Sequence, residues 1–317
     1  CRGFRAKSKR KAIIRQSNQH FDLLLMQDTH LDVNLANTTQ KEFKGDWEFN
    51  NRRNNSGGVA IYNQRNTCRI LANDANDYDD SKGSMIGRTV NINDIKIYVI
   101  SAYAPCVNST SHGQQMNLDF LTQLEQLAMT KRAKGIEVLI GADLNFIRDS
   151  ELDAIGGDPK LYKNQTDWFN HIENDLGLID AMRFLRPEER MTTWSRTGCH
   201  RRLDYIICSK HLLERIVDSK IVPVPSSDHR MVGIDLVLGK EPIGGPGIWK
   251  HNDSLLKEQD YTKIISDCIS EVKKMNFDTS TAQWEYCKYQ IRKTSMKFSK
   301  DRACLLYTSD AADDRSC

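Results

Sequence analysis

The 317-residue sequence has no pair of cysteines at CxxC spacing, although it holds nine cysteines. Without such pairs a structural zinc site is disfavoured. An odd cysteine count with no regular framework, in a chain this long, points to a reducing compartment. No apolar run approaches the ~18 residues of a membrane span, so no membrane partner is expected. The chain begins at Cys1, not Met, and carries no signal peptide, so it is expected to be a piece of a longer protein. No glycine-rich phosphate loop follows the first apolar run, which excludes a dinucleotide-binding doubly wound fold. No internal repeat is evident. A large excess of either charge is also missing, with 45 Lys and Arg against 42 Asp and Glu. The net charge of +3 does not by itself argue for nucleic acid. Its distribution says more, because Arg2 to Arg15 holds seven basic residues and no acid. Such a patch attracts phosphate, although a solvated helix face is the simpler reading.

Ala6 to His20 reads as a basic amphipathic helix with Ile13 and Ile14 inward. Leu23 to Met26 is a short apolar run of buried-strand length. Trp47 to Asn50 and Val59 to Tyr62 read as strands, with a polar loop from Asn73 to Gly83. Thr89 to Ile92 and Ile95 to Ile100, joined by Asn93-Asp94, read as a hairpin. Gly113 to Arg132 and Leu161 to Leu176 carry helical spacing. Val138 to Ile140, Leu203 to Cys208, Ile221 to Val224 and Met231 to Leu238 complete the strands. Groups of strands with helices inserted between them suit an α+β sandwich whose helices cover two stacked sheets. Glu241 to Gly247 has linker composition, and Ser254 to Ala303 is charged and helix-rich. The expected organisation is 1–239, 240–303 and a tail 304–317.

Polar residues recur at the strand ends, where a sheet presents side chains rigidly into a cleft. Gln27-Asp28-Thr29-His30 offers a carboxylate suited to a hard divalent cation, or an Asp that opens a turn. Tyr103 in Ala102 to Pro105 can donate to a phosphate oxygen, or simply pack. Asp143 and Asn145 lie two apart and would face one ligand together if extended. An Asx-turn is the equal alternative. Thr193-Trp194-Ser195 precedes Arg201-Arg202-Leu203-Asp204, where paired arginines suit phosphate contact and Asp204 can hold an imidazole tautomer. Surface solvation of the arginines competes with that reading. Ser226-Ser227-Asp228-His229 closes the set, and His229 can steady a phosphate or move a proton. A structural role fits each segment taken alone. Their joint occurrence in order favours a site.

This ordered set resembles the endonuclease/exonuclease/phosphatase superfamily, and most nearly the apurinic-endonuclease-like domain of non-LTR (LINE-type) retrotransposons. The likeness runs from Cys1 to about Leu238. Gly247 to Lys250 with Asn252 to Leu256 is similar to the segment before the reverse transcriptase in such polyproteins. Cys304 to Asp313 resembles a translated sequencing adapter. The resemblance implies a four-layer α/β/β/α sandwich with two stacked, mainly antiparallel sheets. It also implies Mg²⁺ (or Mn²⁺), DNA as substrate and action on chromosomal DNA in the nucleus. Cleavage would leave a 3′-hydroxyl that primes reverse transcription. Position by position, Asp28 matches the metal-binding acid, with Asp228 a further approach to the metal. Asp143 matches the residue that activates water, helped by Asn145. Asp204 matches the acid that orients the catalytic His229. Tyr103, Thr193, Ser227 and Arg202 match phosphate or site support. Two departures stand out. The family has Glu where Asp28 stands, and its first-strand Asn would fall just before Cys1. The parent protein is therefore expected to be a nuclease and this piece to be weak or inactive. A repair nuclease or phosphatase, and a degenerate DNA-binding domain, are the alternatives.

Overall fold

The computed structural model describes residues 3–52, 56–64, 68–71, 74–238 and 253–275, with most positions from 280 to 302. The linker Glu241 to Gly247, the Gly247 to Lys250 segment and the tail from Cys304 lie outside the described residues. The chain divides into two compact units, Cys1–Glu241 and Pro242–Cys317.

The first unit opens with α1 (Lys7–His20), β1 (Leu23–Gln27), α2 (Val33–Glu42), β2 (Asp46–Asn50) and β3 (Val59–Asn63). Short strands β4 (Arg69–Ile70) and β5 (Tyr78–Asp79) precede the long hairpin β6 (Met85–Ile92) and β7 (Ile95–Tyr103). Helix α3 (Ser111–Arg132) leads to β8 (Glu137–Asp143), β9 (Ala154–Ile155), α4 (Lys163–Asn174), β10 (Leu178–Asp180) and α5 (Ala181–Leu185). Then come β11 (Trp194–Arg196), β12 (Cys199–Arg201), β13 (Asp204–Ser209), α6 (Lys210–Leu213), β14 (Ile216–Pro223) and β15 (Arg230–Leu236). In the second unit a 3₁₀ turn, Asp253–Lys257, precedes α7 (Gln259–Lys274).

Seven strands form one sheet in the order β10-β13-β8-β7-β6-β4, with β5 also on β6. Only β7 and β8 run parallel there; the other pairs are antiparallel. A second sheet has the order β1-β3-β2, and β14-β15 form a hairpin. Side-chain alternation assigns the layers. On β7, Tyr98, Ile100 and Ala102 join Leu121 and Leu124 of α3 and Phe169 of α4 in one core. Ile97 and Val99 face the other way and join Val59 and Ile61 of β3 in a second. Ala60 and Tyr62 of β3 turn outward and meet Ile13 and Ile14 of α1 and Ala36 of α2 in a third. Three cores between four layers make the α/β/β/α sandwich. Strands β3, β6, β7, β8 and β13 are buried on both faces over most of their length, which is why they read as largely apolar runs.

The hairpin shares the layer of β1. Val232, Ile234 and Leu236 of β15 pack into the middle core, as do Leu23 and Leu25 of β1. Met231 and Leu24 face the outer core. Yet among the described residues β1 pairs with β3 alone and β15 with β14 alone. A cavity of about 590 Å³ lies between them, lined by every residue of both strands and floored by Ile97, Val99, Leu139 and Ile206.

Helix α2 carried no apolar periodicity in the sequence. Its Asn and Thr content gives low intrinsic propensity, and only Ala36 and Thr39 are buried. The Asp32 side chain starts it by accepting from Leu35 N at 2.8 Å. Among the described residues no helix is long and apolar enough to cross a membrane.

Candidate active site

Tyr103, Asp143 and Asp204 stand side by side on three adjacent strands. Tyr103 pairs in register with Asp143, and Asp143 with Asp204. All three share the strand face that carries Val99, Leu139 and Ile206, so they point between the two sheets, at the open end of the middle core. The sheets are drawn together just below them. Gly141 has no Cβ, and one placed there would meet Leu25 Cδ1 at 2.7 Å. Gln27 Nε2 reaches across to the Gly141 carbonyl at 3.0 Å and Ser101 Oγ at 3.1 Å. Ser101 Oγ donates back to the Met26 carbonyl at 3.0 Å. This clip fixes the end of β1, and the Asp28 carboxylate that follows lies near enough to Tyr103 for its charge to act on the phenol.

His229 enters from the loop before β15. Its Nδ1 lies 2.9 Å and 3.2 Å from the two Asp204 carboxylate oxygens. Its Nε2 lies 3.9 Å from Asp143 Oδ2. Thr193 Oγ1 donates to Asp204 Oδ2 at 2.5 Å and accepts from the Leu203 and Asp204 amides at 3.0 and 3.1 Å. The main chain closes around this pair, with Arg230 N bonded to Thr193 O and Ser195 N to Asp228 O. The Ser227 hydroxyl accepts from His229 N at 3.1 Å.

The electrostatics follow from burial. Burial first, and the neighbouring Asp204 charge second, push the Asp143 carboxyl up to about 7, while His229 opposes them. Burial works against a charged imidazole at His229. The Asp204 carboxylate, by charge and hydrogen bond, outweighs that and holds the imidazole above its ordinary range. Burial also raises the Tyr103 phenol, with Asp28 and Asp143 adding to it, so its hydroxyl stays protonated.

Several expectations are sharpened or corrected. Strand β8 ends at Asp143, and Asn145 takes a left-handed φ of 57°. Of the two equal readings for Asp143 and Asn145 the turn is the one that forms, and in it Asn145 N donates to Asp143 Oδ1 at 3.1 Å. The Asn145 side-chain amide donates to the Ala104 carbonyl at 2.8 Å. Arg202 is not a phosphate contact. It is 1% exposed, and its guanidinium binds Asp153 at 2.7 Å and Asp180 at 2.6 Å. Arg201, its neighbour, donates to the Ile155, Gly156 and His200 carbonyls. Asp228 does not join the cluster of possible metal ligands; its Oδ2 accepts from Trp194 Nε1 at 3.1 Å. The roles of Trp194, Asp153 and Asp180 were not read from the sequence. Their partners lie 22 to 49 residues away, and no local spacing signals such pairs.

A metal ion fits this geometry. One ligand atom each from Asp143, Asp204 and His229 lies within 4.8 Å of the others; Asp28, whose charge acts on Tyr103, is not in that cluster. A donor set dominated by carboxylate oxygen suits a hard divalent cation.

The Transposon TX1 uncharacterized 149 kDa protein of Xenopus laevis is 24% identical over 169 residues, 51% of this chain. The match spans 13% of that relative's length. The fold is similar to the Xenopus laevis APE2 catalytic domain, with a TM-score of 0.58 and 19% identity, over 74% of this chain and 90% of that one. It is also similar to the AP endonuclease LMAP of Leishmania major (TM-score 0.61, 16% identity, 73% and 85% of the two chains). An AP endonuclease from Archaeoglobus fulgidus gives 0.59 at 19% identity, over 74% and 97%. Residues 1–229 match the Endonuclease/Exonuclease/phosphatase family, and the chain belongs to that family.

Proposed function

We propose that the chain is the nuclease part of a retrotransposon polyprotein, a DNA endonuclease dependent on Mg²⁺ or Mn²⁺. The observation that carries this reading is His229, clamped by Asp204 at 2.9 Å and set 3.9 Å from Asp143 Oδ2. A carboxyl near pH 7 beside a held imidazole suits proton transfer from water together with charge stabilisation on phosphate. The transposon relative and the AP endonuclease folds support DNA as the substrate.

In this mechanism Asp143, when ionised, orients a water and accepts its proton. The Asn145 side-chain oxygen steadies that water. His229, whose proton Asp204 holds more tightly than usual, donates from Nε2 to a phosphate oxygen, and the Tyr103 hydroxyl donates to another. Thr193 and Ser227 hold Asp204 and His229 in place. Asp28 with the neighbouring carboxylates would hold a divalent cation, which would supply Lewis-acid charge to the phosphate. Hydrolysis leaves a 3′-hydroxyl, from which a reverse transcriptase domain of the same polyprotein primes on chromosomal DNA in the nucleus. In this reading 1–239 is the nuclease domain, 240–303 the segment before that transcriptase and 304–317 an adapter-derived tail.

Activity of this chain is proposed to be weak, because Asp28 is one methylene shorter than Glu and β15, next to His229, pairs with β14 alone among the described residues. A plasmid-nicking assay with Mg²⁺ tests both points. Strong nicking abolished by His229→Ala overturns the weakness and supports the site. DNA affinity without nicking favours a DNA-binding domain, and preference for an abasic duplex favours repair.

A further inference from the structure

His30 follows Asp28 by two residues and turns back onto it. Its Nε2 lies 2.8 Å from Asp28 Oδ1. Both residues take a left-handed φ of 57°, so neither is placed by strand geometry. The loop is pinned on two sides. Thr29 N and His30 N donate to the Gly58 and Gly57 carbonyls at 3.0 and 2.7 Å. Gly3 N and Phe4 N donate to the Asp28 and Thr29 carbonyls at 2.8 and 2.7 Å. Gly3 lies against the imidazole; a Cβ there would stand 3.3 Å from His30 Nδ1. The two side chains stay partly open, at 32% for His30 and 17% for Asp28.

The 2.8 Å contact is a hydrogen bond between the two side chains, and the same spacing also suits two neighbouring ligands of one octahedral cation. Ligands at about 2.0–2.1 Å from an ion, at right angles, stand about 2.9 Å apart. Donor chemistry agrees, since a neutral imidazole Nε2 and a carboxylate oxygen are both metal ligands.

We infer that His30 Nε2 and Asp28 Oδ1 form a two-donor clamp for the divalent cation, in which the imidazole makes up for the short Asp28 side chain. This rests on the reading of Asp28 as a metal-binding acid. An imidazole donor shifts preference away from Mg²⁺ and toward transition ions, so Mn²⁺ binds this chain more tightly than an all-oxygen site would. In the bound form the His30 proton sits on Nδ1, which leaves Nε2 to coordinate.

Mn²⁺ titration of the full chain, followed by electron paramagnetic resonance with detection of ¹⁴N coupling, tests this without any activity measurement. The expected result is a nitrogen coupling that survives His229→Gln and disappears in His30→Gln. The Mn²⁺ Kd should rise at least about tenfold in His30→Gln, by analogy with losses at metal-supporting positions, while Mg²⁺ affinity changes less. His30→Glu, an oxygen donor of similar reach, should regain Mn²⁺ without the coupling, which guards against a folding defect in His30→Gln. Binding that Asp28→Ala weakens, with no nitrogen coupling or with a coupling unchanged in His30→Gln, overturns the role of His30 and leaves Asp28 standing. Absence of saturable Mn²⁺ binding, or binding indifferent to Asp28→Ala, overturns the metal reading of Asp28 and the clamp with it.

Discussion

Asp204 holds His229 through Nδ1 at 2.9 Å, and the same carboxylate oxygen takes the Thr193 hydroxyl at 2.5 Å. One carboxylate therefore orients the imidazole and is itself oriented by a buried hydroxyl. Asp204→Asn keeps the shape but removes the charge that raises His229. The His229 pKa, read by NMR, should fall, and nicking should drop by about 10²–10⁴-fold, the usual worth of a positioned proton-transfer group. An unchanged His229 titration would sink this account.

Asp143 makes stability depend on pH in a defined sense. Its folded pKa of about 7 lies above the ordinary 3.8, so the folded state binds the proton more tightly. The stability this contributes is full below about pH 4 and is lost as pH rises toward about 7. Asp143→Asn should therefore raise Tm relative to wild type at pH 8 and do so little at pH 4, while abolishing nicking. A Tm difference independent of pH would contradict the buried, raised carboxyl.

The nicking rate should rise with pH through the region near 7, as Asp143 ionises. It should fall again as His229, held above its ordinary range, loses its proton. In Asp204→Asn the upper limb should move to lower pH. A rate flat from pH 5 to 9 would argue against both groups, and the profile is read as belonging to the pair.

Arg202→Met should destabilise the first unit by about 3–5 kcal/mol, because Asp180 would be left buried without its cation and Asp153 with Arg183 alone. Denaturant unfolding measures it. Salt dependence of DNA binding, in a variant that still folds, should keep its slope. A reduced slope would return Arg202 to phosphate contact.

Gly141→Ala should cost about 1–3 kcal/mol, since the new methyl meets Leu25 where the sheets approach most closely. It should also lower activity at unchanged fold, because the Gln27 clip that sets Asp28 bonds the Gly141 carbonyl. Loss of stability with full activity would separate the clip from the site.

The sequence exposed what depends on local pattern. The runs that become β3, β7, β8 and β13 were legible because each is buried on both faces, and β1 because its run is apolar although only Met26 is fully buried. Asp28, Tyr103, Asp143 and Asp204 were legible because each falls at a strand end. Register was not: nothing local says that Tyr103, Asp143 and Asp204 form one row. Arg202 looked like a phosphate ligand because its two acids lie 49 and 22 residues upstream. The turn at Asn145 was hidden because an Asx-turn and an extended pair share the same residues.

The cavity between β1 and β15 has a consequence for how the protein comes apart. The β14-β15 hairpin bonds mainly to itself, with Arg230 N to Thr193 O and Val237 N to Arg215 O among its main-chain ties to the rest. The seven-stranded sheet, by contrast, is laced across its width. On heating, the hairpin should loosen as a unit before that sheet does, exchanging its amides early. His229 sits at the root of the hairpin, so the candidate site would dissolve while most of the fold still stands.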